Sequence, residues 1–195
     1  MSKVPDREQL LEAASELFGA RGIKGTSLED LGATLQLSPA ALRQLATSKE
    51  DLLFQIASRD VKALVAEGQR LSSTSATVEQ LMTLISERAF TFIGARPVLL
   101  ELMVGALQAT MPEWEVRLRE LRDRCVQVCR GVLEIGVKQK ALRADLPMDL
   151  VAAILLELHL AGFAFHHSDG PDRMLRAAQR RTVAVDLFLN GLRPR

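Results

Sequence analysis

Residues 26–51 read Thr26-Ser-Leu-Glu-Asp-Leu-Gly-Ala-Thr-Leu-Gln-Leu-Ser-Pro-Ala-Ala-Leu-Arg-Gln-Leu-Ala-Thr-Ser-Lys-Glu-Asp51, and this stretch decides how the rest of the chain is understood. It contains three helix starts in close succession. Ser27 stands before Leu28 with Asp30 three residues on, a capping-box arrangement in which serine and acid satisfy each other's exposed backbone N–H groups. Ser38 precedes Pro39, and proline suits the first helical position because its missing N–H would be unpaired there anyway. Ser48 has Asp51 three residues on, a second capping box. Caps at this spacing predict two short helices, 28–35 and 39–46, followed by a longer one from 49. Short helix, tight turn, short helix is the helix-turn-helix plan, whose second helix lies in the DNA major groove. The same pattern also fits two connector helices of an all-α protein.

Working outward, apolar residues recur at three- and four-residue spacing almost everywhere, which predicts an all-α fold. A first helix is expected over 6–21, with Leu10, Leu11, Ala14, Leu17 and Phe18 on one side, Gly22 as a left-handed stop and Ile23 packing after it. Leu28, Leu31, Leu35, Leu37, Leu42 and Leu45 then complete a small three-helix core. The helix from Lys49 to Leu71 carries Leu53, Ile56, Ala57, Leu64, Val65 and Leu71 on one side and reads as a connecting strut. The polar run Ser72-Ser-Thr-Ser75 follows it. Further helices are expected over 77–95, 97–109, 112–140, 147–167 and 172–192, several of them opened by Pro97, Pro112 and Pro147. The helix over 148–166 is apolar on nearly all sides and so must be buried all round, in a core or an interface. The last helix sets Val183, Val185, Leu187, Phe188 and Leu192 against Arg176, Arg180 and Arg181 on the opposite side. Together these two helices suggest half of a four-helix bundle, completed by a second copy about a two-fold axis. Closing a monomer core is the simpler use of the same residues.

At 195 residues the chain is long enough for a substantial core, and 48% hydrophobic content makes it globular. No apolar run approaches the roughly 20 residues of a membrane span, and the N-terminus lacks an apolar signal core, so a cytoplasmic protein with no membrane partner is expected. Two cysteines are too few for a disulfide framework, and the net charge of +1 neither demands nor excludes a nucleic-acid partner. The chain has three histidines and no tyrosine. It has no glycine-rich phosphate loop and none of the common hydrolase or zinc motifs, so no enzyme, cofactor or metal is expected.

The local motifs resemble those of the TetR family of transcriptional regulators. Arg7-x3-Leu11-x2-Ala14-x2-Leu17-Phe18-x3-Gly22 is similar to that family's first helix, and Gly25-Thr26-Ser27-Leu28-x2-Leu31 to the start of its second. Leu37-Ser38-x3-Leu42 and Ser48-Lys49-Glu50-x-Leu52-Leu53 resemble its turn, recognition helix and strut. Gly136-x5-Leu142-Arg143-x-Asp145, followed by an apolar helix, looks like its passage into the dimerisation helices. The chain departs from the family pattern where an aromatic is usual, at Arg43, Leu45 and Ala46. It departs again at Gln36, where the turn glycine usually stands, and at Gly32, where an alanine is usual.

The resemblance implies a helix-turn-helix DNA-binding domain over 1–48 and a helical ligand-binding and dimerisation domain over 49–195, with 49–71 connecting them. It also implies a ligand-responsive dimeric repressor on a palindromic operator in double-stranded DNA. The alternative on the same fold is a dimeric ligand-binding or protein-interaction module with weak or no DNA binding. If DNA is bound, Arg43 suits guanine edges, Gln44 suits adenine, and Pro39 and Ala40 leave a narrow helix start. Thr26, Ser27, Ser38, Thr47 and Lys49 are the phosphate-positioning candidates, although capping alone explains the hydroxyls. Residues 1–53 hold six basic and eight acidic side chains, so positive charge is not abundant in this module. A hydrophobic or amphipathic effector is expected in a pocket drawn from Met82, Ile85, Phe90, Phe92, Met103, Leu107, Met111, Trp114, Cys125, Cys129, His159 and Phe163. Plain core packing is the competing use of most of these. His159 and Glu157 stand out as polar residues within an apolar helix.

Overall fold

The computed structural model describes residues 7–103, 115–164 and 173–194. Within them the chain forms nine helices: α1 Arg7–Arg21, α2 Leu28–Thr34, α3 Pro39–Leu45, α4 Lys49–Ser72, α5 Val78–Gly94, α6 Pro97–Met103, α7 Glu115–Lys138, α8 Met148–Ala164 and α9 Arg173–Leu192. The far end of the helix expected over 97–109, the start of that over 112–140 and the end of that over 147–167 lie outside the described residues. So do Leu107, Met111 and Trp114.

The helix ends follow the chemistry of the local sequence. Gly22 takes φ +78° and stops α1, where a side chain would be strained. At α2 the Ser27 hydroxyl accepts from the Asp30 N–H at 3.0 Å, while the Asp30 carboxylate accepts from the Ser27 N–H at 3.1 Å, so this box is reciprocal. At α3 the Ser38 hydroxyl accepts from the Ala41 N–H, with Pro39 at the first turn. The box expected at Ser48 is only half formed. Ser48 caps Asp51 N–H, but the Asp51 carboxylate reaches one residue further back and accepts from the Thr47 N–H at 3.0 Å. A full box that the caps around 26–51 did not announce opens α5, between Thr77 and Gln80.

One apolar cluster joins the small N-terminal bundle to the body of the protein. Leu11, Ala14 and Phe18 of α1, Leu31 of α2 and Leu45 of α3 meet Leu52, Ile56 and Val61 of α4, and the cluster continues to Val98 and Leu99 of α6 and Leu121 of α7. A second cluster gathers α5, α7, α8 and α9 around Leu81, Leu133, Leu155 and Leu189. Close approaches depend on glycine: a Cβ on Gly68 of α4 would stand 2.6 Å from Val128 Cγ1 of α7, and one on Gly136 of α7 would stand 2.6 Å from Leu142 Cδ1 in the segment that follows.

Two expectations for the last helices need correction. Helix α8 is not buried all round within the protomer, so the core alone does not cover it and only the interface expectation is left for its outward face: Leu150 and Ile154 are 60% and 42% exposed, and Glu157 and Ala161 share that face at helical spacing. On α9, Val185, Leu189 and Leu192 point inward while Val183 and Leu187 point out at 59% and 67% exposure. Arg176 and Arg180 lie at the 176, 180, 183, 187 spacing, so they share the outward apolar face instead of opposing it. No described helix is long and apolar enough to cross a membrane.

Candidate nucleic-acid interface and ligand cavity

Helix α3 is held from below and bare above. Leu45 is 5% exposed and Leu42 leans on α2, where Gly32 leaves room: a Cβ there would stand 2.8 Å from Leu42 Cδ2. Pro39, Ala40, Arg43 and Gln44 face solvent, as the sequence assigns them. Four helix-turn-helix acids are engaged elsewhere. Hydrogen bonds from Ser27 hold the Asp30 carboxyl below its usual range. At Asp51 partial burial works the other way, but donors from Thr47 and Gln55 outweigh it and keep that carboxyl low as well. Glu8 and Glu12 pair with Arg59 at 3.5 and 2.8 Å. The negative balance of the module is thus partly internal.

The phosphate candidates divide. Thr26, Ser27, Thr47 and Lys49 surround one surface depression with Lys24, Glu29 and Asp30. Thr26, however, is 1% exposed and its hydroxyl donates to the Gly22 carbonyl at 2.8 Å, so its side chain belongs to the turn. The Ser27 and Thr47 hydroxyls both contact carboxylates, Asp30 at 2.6 Å and Asp51 at 3.2 Å. Lys49 and Lys24 are the cations of this depression; an isolated lysine before a Gly-Thr turn carries no motif, so nothing in the sequence singles out Lys24.

A cavity of about 70 Å³ lies between α4, α5, α7 and α8. Met82, Cys125, Cys129 and His159 line it, as does Ile85. Phe90 does not; it is 7% exposed in the neighbouring cluster. Leu64, Val65, Ile93, Val128, Leu155 and Leu156 complete the wall, with Glu67 and Arg88 as its charged members. The side chains of Met103 and Phe163 lie outside the described residues. Burial pushes the Cys125 thiol up to about 11, and burial with the neighbouring Cys125 pushes Cys129 up to about 12. Two protonated thiols are wall material, not nucleophiles, at neutral pH. The His159 Nδ1 stands 2.6 Å from the Leu155 carbonyl, and Nε2 meets the Ser86 hydroxyl. Glu157 points away and pairs with Arg122.

A buried charge cluster joins the two regions. Asp60 on α4 is 2% exposed. Its Oδ1 accepts from Arg59 Nε and Nη2 at 2.9 and 2.7 Å and lies 3.5 Å from Arg96 Nε at the α5–α6 corner. Arg59 reaches on to Glu8 and Glu12 of α1, and Arg96 stacks over Phe92 at 3.6 Å. Alongside, a Cβ on Gly19 of α1 would stand 2.9 Å from Pro97 of α6. Its sequence signal was available: Asp60 falls on the apolar side of α4, four residues after Ile56.

The profile of bacterial regulatory proteins of the tetR family matches residues 10–56. The KstR2 transcriptional repressor of Rhodococcus jostii is 27% identical over 95% of this chain and 90% of its own. Among solved structures, the TetR-family regulator PfmR of Thermus thermophilus is 27% identical, covers 95% of this chain and 100% of its own, and superposes with a TM-score of 0.69. The regulator FadR of Bacillus subtilis, in complex with stearoyl-CoA, shares the fold at a TM-score of 0.80 and 13% identity, over 96% of this chain and 100% of that one.

Proposed function

We propose that this chain, a DNA-binding regulator of the TetR family, works as a homodimeric repressor that leaves a palindromic operator when an apolar or amphipathic effector enters the α4–α5–α7–α8 cavity. Residues 1–48 are the DNA-contacting part and 49–195 the effector-binding and dimerising part. Arg43 and Gln44 read base edges. Ser38, Lys24 and Lys49 serve the backbone.

The observation that carries this reading is that α4 is a wall of the cavity and, through Arg59, a tether of α1. A cavity of about 70 Å³ is far below the ~300–1,000 Å³ of ordinary ligand sites. An effector therefore has to part the walls. Displacement of α4 and of the α5–α6 corner is transmitted to α1 through the Asp60 cluster and the Gly19–Pro97 contact, changing the spacing of the two helix-turn-helix modules. The stearoyl-CoA held by the Bacillus subtilis protein supports an effector with a long apolar part.

The test is selection of bound fragments from the source genome, starting upstream of the gene itself. Recovery of a palindromic site, with affinity falling steeply as salt rises, is the expected result. Arg43→Ala should weaken that site by about 1–3 kcal/mol and relax preference at one base pair per half-site. Absence of any salt-sensitive, site-selective binding would overturn the proposal.

A further inference from the structure

The wall of the cavity is apolar except for Glu67 and Arg88, the two thiols, and the imidazole of His159. Glu67 is already bound by Arg70 at 2.8 Å through both carboxylate oxygens, and Arg88 is exposed. His159 is thus the hydrogen-bonding ring set among the aliphatic walls, beside Leu155, Leu156 and Leu160.

The place of one ring proton follows from its partners. A carbonyl oxygen only accepts, so the 2.6 Å contact with Leu155 places a proton on Nδ1. In the neutral ring Nε2 is then an acceptor, and the Ser86 hydroxyl donates to it. Ser86 is 2% exposed and lies on the far side, where it lines a separate groove between α5 and α9. The pair therefore forms a partition between the apolar cavity and that groove, with an acceptor nitrogen at its centre.

We propose that His159 Nε2 is the polar recognition point of the cavity and selects apolar molecules that end in an O–H group, an alcohol or a carboxylic acid. This rests on the effector reading above and names the chemical class it takes. An incoming O–H donates to Nε2 in place of Ser86, whose hydroxyl turns back to a carbonyl of its own helix. With a carboxylic acid the proton passes to Nε2, leaving a carboxylate against an imidazolium whose Nδ1–H stays on Leu155. An ester or ketone of the same length brings only an acceptor. To bond it, Ser86 would have to release Nε2, leaving one buried group unpaired either way.

The experiment is calorimetric titration of the full-length protein with decanol, decanoic acid and methyl decanoate, on the wild type and the His159→Phe, Ser86→Ala and Arg88→Ala variants. In the wild type, decanol should bind about tenfold tighter than the methyl ester, the worth of one hydrogen bond. His159→Phe should retain the ester and erase that preference. Ser86→Ala, which removes the competing internal donor and leaves the ring in place, should tighten decanol several-fold; a merely structural pair would weaken it. Equal binding of decanol and the ester by the wild type, or a preference that follows Arg88 instead of His159, overturns the assignment of Nε2 alone. Failure of all three probes to bind the wild type overturns the effector cavity itself.

Discussion

At Gln36 the backbone sits at φ +54°, in the left-handed region that favours glycine. The reason is the turn it builds: the Leu37 N–H returns to the Gly32 carbonyl at 2.9 Å and the Gln36 N–H to Ala33 at 3.2 Å, closing α2 in a Schellman motif. That turn orients α3 against α2, so the chain accepts strain there to set the angle between the two helices. Gln36→Gly should stabilise the fold by about 1 kcal/mol, the left-handed penalty less glycine's entropy. A midpoint in denaturant that stays the same or falls would show that the glutamine side chain contributes something the backbone argument omits. The cysteines make the opposite point about what a residue type promises. Four apart on α7, they look like a thiol pair, yet burial places them at about 11 and about 12. Native protein at pH 8 should react with iodoacetamide at least tenfold more slowly than unfolded protein, whose thiols titrate near 8.5. Labelling at equal rates would mean the cavity opens readily in the absence of effector.

Among the elements, the caps were legible in the sequence because capping is local: a serine, and an acid or proline within three residues, determine each helix start over 26–51 almost without reference to the rest of the chain. The direction of a helix face is not local. The apolar residues of α8 and α9 were identified correctly, but which of them turn outward depends on where α7 and α5 lie. Likewise His159 was marked as conspicuous, while its partner Ser86 stands 73 residues away on α5. Asp60 differs: its place on the apolar side of α4 and its neighbour Arg59 are local, and only Arg96 comes from a distant corner, after α5. Burial outweighs both arginines and raises the Asp60 carboxyl above its ordinary range. A carboxyl with a raised folded value takes its proton on the native protein before the unfolded chain does. Its contribution to stability is complete below the ordinary value near 4 and is lost as pH rises through the folded value. Asp60→Asn, a mimic of the neutral acid, should therefore unfold at pH 7 at a temperature no lower than wild type. Its advantage should close as both proteins are taken to pH 4 in thermal scans. A fall of several degrees at pH 7 would contradict this. If the cluster serves coupling rather than stability, the same variant should bind operator normally while needing more effector for release.

On the scale of the whole molecule, α8 and α9 turn an apolar face to solvent. Leu150 and Ile154 on α8, and Leu175, Val183 and Leu187 on α9, are between 42% and 67% exposed, while the opposite sides of both helices are sealed into the second cluster. Single exposed leucines are ordinary, but five large apolar side chains on two adjoining helices form a patch that a lone protomer has little reason to keep. Two copies placed face to face about a two-fold axis would bury each patch against its own equivalent and generate a four-helix bundle. Leu187→Asp tests this directly. At 67% exposure the side chain contributes little to its own protomer, so melting of the isolated fold should change by well under 1 kcal/mol. Association would require burying a carboxylate in the apolar seam, and that cost should leave the variant monomeric by sedimentation at concentrations where wild type is a dimer. Operator affinity should then fall by about a hundredfold or more. Each module keeps its own contacts, but the second half-site is no longer met at the high effective concentration that a joined pair provides. A variant that remains dimeric, or a monomer that holds a palindromic site as tightly as wild type, would place the two-fold axis elsewhere or remove it from the mechanism.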